Sequence, residues 1–527
     1  MAVHAVLIDM VSIQRYVFGS NKLKENIGAS YLIQEVYESY LQKVINCIFP
    51  FAKINFNAWK EEPNRCLIEE TDIPFEVGYI GGGNALLLFK DGDRAREFIE
   101  RWTTTLLVVT PGVATAVACE AFDLNNFKLE NERLFRKLQE NKYRFIPQTV
   151  IPRHGITAEC SHTGYSMDIW NDKEKHDEQN YVSSVAYAKI CASQEATKKL
   201  EEKFEKELKS GYCFTDQLDE LGQLKGEDSH IAIVHIDGNG MGERFMGTDS
   251  LSAIRNLSSS VAEATKKGFA KLLEEIISRF TLIQDALGFD TQEKKAGFYK
   301  DKEKNKTIIP LRPIIIGGDD ITFVCDGRLG VYFAKLFLEA FENQEVSDGK
   351  KLSACAGVAI TKTKYPFHRG YEIAEDLCKN AKKRRKDNDG SGSWLDFHIA
   401  YGGFSGKLDE IRATHYKAIQ GDLIFGPYKI GKHDEYGFDT LIKNIKELKD
   451  PEKGWPRSKI EELRQVLTLG KEATETFVRE IDARRLELPK IKGRCFEHSL
   501  FEDSETPYFD MVELMKFYPE FALQESS

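Results

Sequence analysis

Three carboxylates stand at the ends of apolar segments, a placement that suits metal-assisted phosphate chemistry. Leu311 to Gly327 reads LRPIIIGGDDITFVCDG, with two apolar runs flanking Gly317, Gly318, Asp319 and Asp320. That composition predicts a buried β-hairpin with a glycine turn and two acids at its tip. Adjacent carboxylates repel one another and resist burial, so such a turn calls for a cation that keeps them ionised. Hard oxygen donors suit Mg²⁺ or Mn²⁺. A solvated Gly-Asp turn would read the same way if the hairpin stood alone. Upstream, however, IAIVHI (Ile231–Ile236) predicts a strand that delivers Asp237, followed by Gly238, Asn239, Gly240, Met241 and Gly242 and then a helix. A glycine-rich turn entering a helix leaves backbone N–H groups open to a triphosphate. Carboxylates on two strand ends are what two-metal nucleotidyl transfer needs: one ion activates the attacking hydroxyl, and the other holds the triphosphate and the departing pyrophosphate. Asp237 and Asp319, from different strands, are expected to share the metals, and Asp320 to point partly away from Asp319.

Further cations lie downstream, where GYEIAEDLCKNAKKRRKDNDGSG predicts a helix with Ile373, Ala374, Leu377 and Ala381 as its buried stripe. Its basic end has two readings. Cations favour helix C-termini, and Lys382 with Lys386, one turn apart, would also reach a triphosphate.

The elements that must position these groups occur twice. VLID ending at Asp9 matches IVHID ending at Asp237, and YIGGGNALLLF (Tyr79–Phe89) matches IIGGDDITFVC, with Gly83 and Asn84 in the places of Asp319 and Asp320. The first copy thus keeps the geometry and lacks the acids. The expected layout is α+β: a degenerate first palm over 1–145, a helical connector over 146–226, the acid-bearing palm over 227–402 and a C-terminal helical bundle over 403–527. Both palms are expected to be ferredoxin-like. Phe289 to Thr307, charged and poor in apolar residues, is expected to be a mobile insertion.

At 527 residues, with 42% hydrophobic and 30% charged residues, the chain has the composition of a soluble multidomain protein. A net charge of -10 excludes coating nucleic acid by bulk electrostatics. No run approaches a membrane span, and ten scattered cysteines without a C-x-x-C pair indicate reduced thiols in a cytoplasmic protein. Cys160 and His162 are read as a structural thiol and a surface imidazole, not as zinc ligands. The His176-Asp177 and His433-Asp434 pairs lack the further ligands of a metal nuclease.

These motifs together resemble the large palm-domain subunit of type III CRISPR effector complexes, of the Cmr-type branch. HIDGNGMGERF at His235–Phe245, GGDD at Gly317–Asp320, ACAGVAI and AEDLCKNAKK within Ala354–Lys383, and the later PYKIGKH and WPRSKIEELRQVL carry the resemblance. It implies polymerisation of ATP into cyclic oligoadenylate inside a complex with other subunits, guide RNA and target RNA, away from membranes. It also implies two Mg²⁺ or Mn²⁺ ions held by Asp237, Asp319 and Asp320 with Ile236, and nucleotide contacts at the Gly238–Gly242 turn, Gly317, Gly318, Lys382 and Lys386. An HD nuclease domain and a four-cysteine knuckle, present in many relatives, do not appear, so no DNA cleavage is expected. The rival readings are transfer of AMP to another acceptor, a diguanylate cyclase-like enzyme and a non-catalytic nucleotide-binding scaffold.

Overall fold

The computed structural model describes residues 2–144, 155–172, 181–223, 229–289, 298–301, 303–402, 406–431, 436–450, 452, 454–491, 496 and 498–525. Both His-Asp pairs lie outside them, as does 290–297 of the charged insertion.

The first palm is built from β1 (Ala2–Val11), α1 (Ile13–Phe18), α2 (Leu23–Glu35), β2 (Phe75–Gly81), β3 (Asn84–Phe89), α3 (Gly92–Val109), β4 (Ala114–Asp123) and α4 (Phe127–Arg144). Its antiparallel sheet has the order β2-β3-β1-β4. A connector helix, α5 (Ser184–Lys203), is capped by the Ser183 side chain and packs along α2. The approach is close enough that a Cβ on Gly28 would lie 1.8 Å from the Lys189 carbonyl oxygen.

The second palm repeats the plan with β5 (His230–Gly238), α6 (Met241–Met246), α7 (Leu251–Ser278), β6 (Leu311–Gly317), β7 (Asp320–Asp326), α8 (Gly330–Glu342), β8 (Ala354–Lys362) and α9 (Phe367–Asp387). Two further strands, β9 (Trp394–Ala400) and β10 (Tyr428–Lys429), extend its sheet to the order β6-β7-β5-β8-β9-β10. The strands are apolar on both faces because both faces are covered. Ala232, Val234, Ile236 and Phe323 join one core with α7, α8 and the C-terminal helices. Ile231, Ile233, Val324 and Ala359 join another with α9 and the first palm. The C-terminal helices therefore share their core with the second palm rather than standing apart.

Two local expectations are corrected. Part of the charged insertion is ordered sheet: Lys300–Asp301 and Lys306–Ile308 pair with one another, and the latter also with Tyr212–Cys213. Buried Phe289 and Phe298 anchor that segment through an edge-on contact at 4.9 Å. His162 is not a surface imidazole, for its Nδ1 lies 2.5 Å from Oε1 of buried Glu25 and ties the connector to α2. No helix among the described residues is long and apolar enough to cross a membrane.

Candidate active site at the β6–β7 turn

Strand register brings the acids together. Asp237, near the end of β5, pairs directly with Asp320, the first residue of β7. Asp319 occupies the turn, held so close to β5 that a Cβ on Gly238 would lie 2.7 Å from its Cβ and its Oδ2. Glycine at 238 is therefore what admits the third acid. Gly318 turns the chain at φ 59°, and its carbonyl accepts a 2.6 Å hydrogen bond from the Thr265 hydroxyl on α7. Asp320 belongs to the cluster, because β-pairing sets it opposite Asp237.

All three acid side chains are half-buried. Burial, reinforced by the Asp237 charge, pushes the Asp319 carboxyl up to about 6. Burial and repulsion by Asp237 and Asp319 push Asp320 well above the usual carboxylate range. Lys382, on α9, donates to both the Asp237 carboxylate and the Gly238 carbonyl. Burial works against its ammonium, but the Asp237 charge prevails and holds its pKa above the ordinary lysine value.

The turn after Asp237 is fixed from the side. Asn239 N donates to the Ser353 carbonyl at 2.9 Å, and its Nδ2 donates to Ser353 Oγ at 3.1 Å. Gly240 takes the left-handed conformation at φ 68°, Met241 is buried in the core and Gly242 is exposed. Arg244 Nε, bound to Asp348 Oδ2 at 2.8 Å, anchors the short helix. Gly317 is exposed with open space beside it. Ile236 is fully buried, so only its main chain could serve an ion. Lys386 lies one turn beyond Lys382 and is exposed.

Sequence reading missed two supports of this site. One is a pair of side chains on α7, a helix expected from sequence to pack on this sheet: Thr265 holds the acid turn while Arg255 reaches back to the first palm. The other is an aromatic stack in which Phe18 of α1 lies 3.7 Å from Tyr371 of α9, itself edge-on to His235 at 5.5 Å. His235 Nδ1 bonds Thr322 Oγ1 at 3.1 Å, and burial pushes the imidazole down to about 4, keeping it neutral beneath the acids. Neither support has a local signature, because each joins residues from distant segments.

Among the described residues, no three carboxylate, imidazole or thiol groups form a ready-made metal cage. Lys382 supplies the positive charge at Asp237 instead. The donor set nevertheless fits a hard divalent ion: two carboxyls crowded by burial and a third acid would each be relieved by such a charge.

Two sheets of one topology, packed tip to tip and carrying acids on one hairpin only, define a tandem palm protein. Residues 230–390 match the family model Cas10/Cmr2, second palm domain. Among solved structures, Csm1 of T. onnurineus superposes with a TM-score of 0.53 at 12% identity, covering 98% of this chain and 70% of that one. A Csm1–Csm4 cassette in complex with cA4 gives 0.52 at 13%, covering 98% and 69%. The cassette in complex with AMPPNP gives 0.52 at 14%, covering 98% and 70%. The matches thus span both branches, the family model naming Cmr2 and the structures Csm1. No curated protein sequence matches the chain.

Proposed function

We propose that this chain is a metal-dependent nucleotidyltransferase that joins ATP into cyclic oligoadenylate within a type III CRISPR complex activated by target RNA. The observation that carries the reading is the meeting of Asp237, Asp319 and Asp320 beside Lys382 in one palm, while the other palm has Asp9 but Gly83 and Asn84 in the other two places. The similar Csm1–Csm4 cassettes in complex with cA4 and AMPPNP support adenine nucleotides as substrate and product, and a Csm4-like subunit as partner.

Divalent ions bound there would supply hydroxyl activation and charge neutralisation at the departing pyrophosphate. Asp237, Asp319 and Asp320 would hold them, with the Ile236 carbonyl. The chain's own part is orientation and charge. Lys382 can leave Asp237 for a phosphate oxygen once the acids are otherwise neutralised, which places its ammonium where negative charge accumulates. Gly317 and Gly318 leave the turn free of side chains, so a nucleotide can lie against the backbone. Gly82, at the tip of the first palm, faces the same space, since a Cβ on Gly318 would lie 3.4 Å from Gly82 N.

Mass spectrometry of products from the assembled complex tests the reading, with target RNA, Mg²⁺ or Mn²⁺, mixed nucleotides and small-molecule acceptors supplied. Cyclic oligoadenylate is the expected product. Adenylylated acceptor would move the assignment to AMP transfer, cyclic diguanylate to a cyclase, and no product to a scaffold.

A further inference from the structure

The repeat exposes a mismatch on the far side of the second palm. On β2, Glu76 stands five positions before Gly81, and on β6, Arg312 stands five before Gly317; those glycines pair with Asn84 and Asp320 respectively. Helix α7 covers β2 and helix α2 covers β6. Glu76 is answered by Arg255 of α7, whose Nη2 lies 2.8 Å from Glu76 Oε1. The helix position equivalent to Arg255 on α2, counted from Asp237 and Asp9, is Ile27. Arg312 therefore shares its cavity with an apolar side chain where its counterpart meets a charge.

The consequences are visible around Arg312. It is 1% exposed, and its Nε and Nη1 are buried with no hydrogen-bond partner among the described residues. Its guanidinium lies 5.8 Å from the Phe214 ring. Burial drives its pKa down to about 10, against the weaker pull of Asp216 and Glu201. Glu201 is engaged elsewhere, accepting from Lys304 Nζ at 2.9 Å. An isolated buried guanidinium costs several kcal/mol, and an orphaned buried donor is a mark of an absent partner.

Arg312 forms part of the wall of a cavity of ≈ 100 Å³ between α2, α5 and β6. Ser30, Tyr31, Gln34, Lys199 and Lys203 also line it. Lys199 is engaged by Glu35 at 2.6 Å, while Lys203 brings a further positive charge to the rim. The space exceeds one water, whose share of liquid volume is about 30 Å³. It would take a phosphoryl group and leave any attached nucleoside outside.

We propose that this cavity is a phosphate-binding site in which Arg312 and Lys203 hold an oxyanion, and that its occupant braces the edge strand leading to the acid turn. Ile316 lines the same cavity one residue before Gly317, so the bound group would act on the strand that positions Asp319 and Asp320. Inorganic phosphate and the phosphates of a nucleotide share this chemistry.

The test is thermal denaturation and calorimetric titration of the full chain in EDTA, which suppresses metal-dependent binding at the acids. Inorganic phosphate and ADP are separate arms, each against chloride at matched ionic strength. The wild-type protein is expected to melt higher with phosphate than with chloride. Arg312→Met is expected to melt at least as high as wild type without anion and to bind phosphate at least about tenfold more weakly, having lost charge-assisted hydrogen bonds. Lys203→Gln alters an exposed side chain, so it decides the matter if Arg312→Met does not fold; a several-fold weaker titration is expected. A larger, Arg312-dependent response to ADP assigns the phosphate to a nucleotide, and a response to both anions alike assigns it to free phosphate. No phosphate response in the wild type, or a response that either variant leaves intact, overturns the proposal.

Discussion

Lys142 closes on the carboxylate of Asp9 in the first palm. The same contact joins Lys382 to Asp237 in the second. Asp9 pairs with Asn84 as Asp237 pairs with Asp320. Ser12 even keeps the left-handed conformation of Gly240, at φ 57° against 68°, despite carrying a side chain. The two halves thus share a charge pair and a turn, and differ in the acids of the hairpin. Burial raises the Asp9 pKa against the opposing pull of Lys142, and with Gly83 and Asn84 in the other two places we read the pair as structural in the first palm. Lys142→Met should leave Asp9 without its partner and destabilise the protein by about 1–3 kcal/mol, with product per folded molecule unchanged. Denaturant melts alongside activity normalised to folded protein measure both. A variant with wild-type stability would contradict the structural role.

The fold was legible in sequence wherever one segment carried its own pattern. The apolar runs around glycine turns became β5, β6 and β7, and the stripe of Ile373, Ala374, Leu377 and Ala381 is buried on α9. Long-range partnerships were not legible. β9 lies parallel to β8, a pairing made through an intervening helix and written in neither strand. The lysine on Asp237 could be listed as a candidate only because two lysines fell one turn apart; register on α9 selected Lys382.

The pairing of Asp320 with Asp237 bears on how the acids should rank. With Asp320 directly opposite Asp237, Asp237→Asn, Asp319→Asn and Asp320→Asn should each reduce product by at least about a hundredfold, since each removes charge from the same cluster. Without metal, Asp319→Asn and Asp320→Asn should melt at or above the wild-type temperature, because each change relieves repulsion among crowded carboxyls, whereas Asp237→Asn also strands Lys382 and should melt no higher than wild type. Product yield and melting temperature for the three variants check the two halves separately. An Asp320→Asn protein with near-normal yield would show that Asp320 does not serve the reaction as the other two acids do.

The two palms are clamped by one buried side chain. Arg255 on α7 donates to the carbonyls of Gly78, Arg65 and Val77, at 2.8, 2.8 and 2.9 Å, besides Glu76. Glu76 Oε2 in turn accepts from Ile68 N at 2.8 Å. Removing one member of a buried pair strands the other, so Arg255→Met should cost about 3–5 kcal/mol. Because the same helix holds Gly318 through Thr265, product yield should fall together with stability. A double-mutant cycle with Glu76→Gln measures the coupling. Additive losses would show that the helix is held by packing rather than by the pair.

His398, on β9, offers a pH test that is remote from the acids. Both ring nitrogens are buried without a partner among the described residues, and the ring lies edge-on to Tyr416 at 4.9 Å. Burial first, and then the Arg412 charge, pushes its pKa down to about 3 from 6.5. The folded state therefore resists protonation that the unfolded chain accepts. The stability this residue contributes is fully present above pH 6.5 and is lost progressively as pH falls toward 3. His398→Phe keeps an aromatic ring in the slot and removes both the titration and the orphaned nitrogens. Its stability relative to wild type should rise as pH falls, the gap widening by about 2 kcal/mol between pH 7 and pH 5 at 1.36 kcal/mol per unit. Urea melts of both proteins across that range read the difference directly, since acid effects at every other group are common to the two. Parallel curves would mean that the imidazole finds a proton acceptor or water in the folded state and is not held neutral by burial.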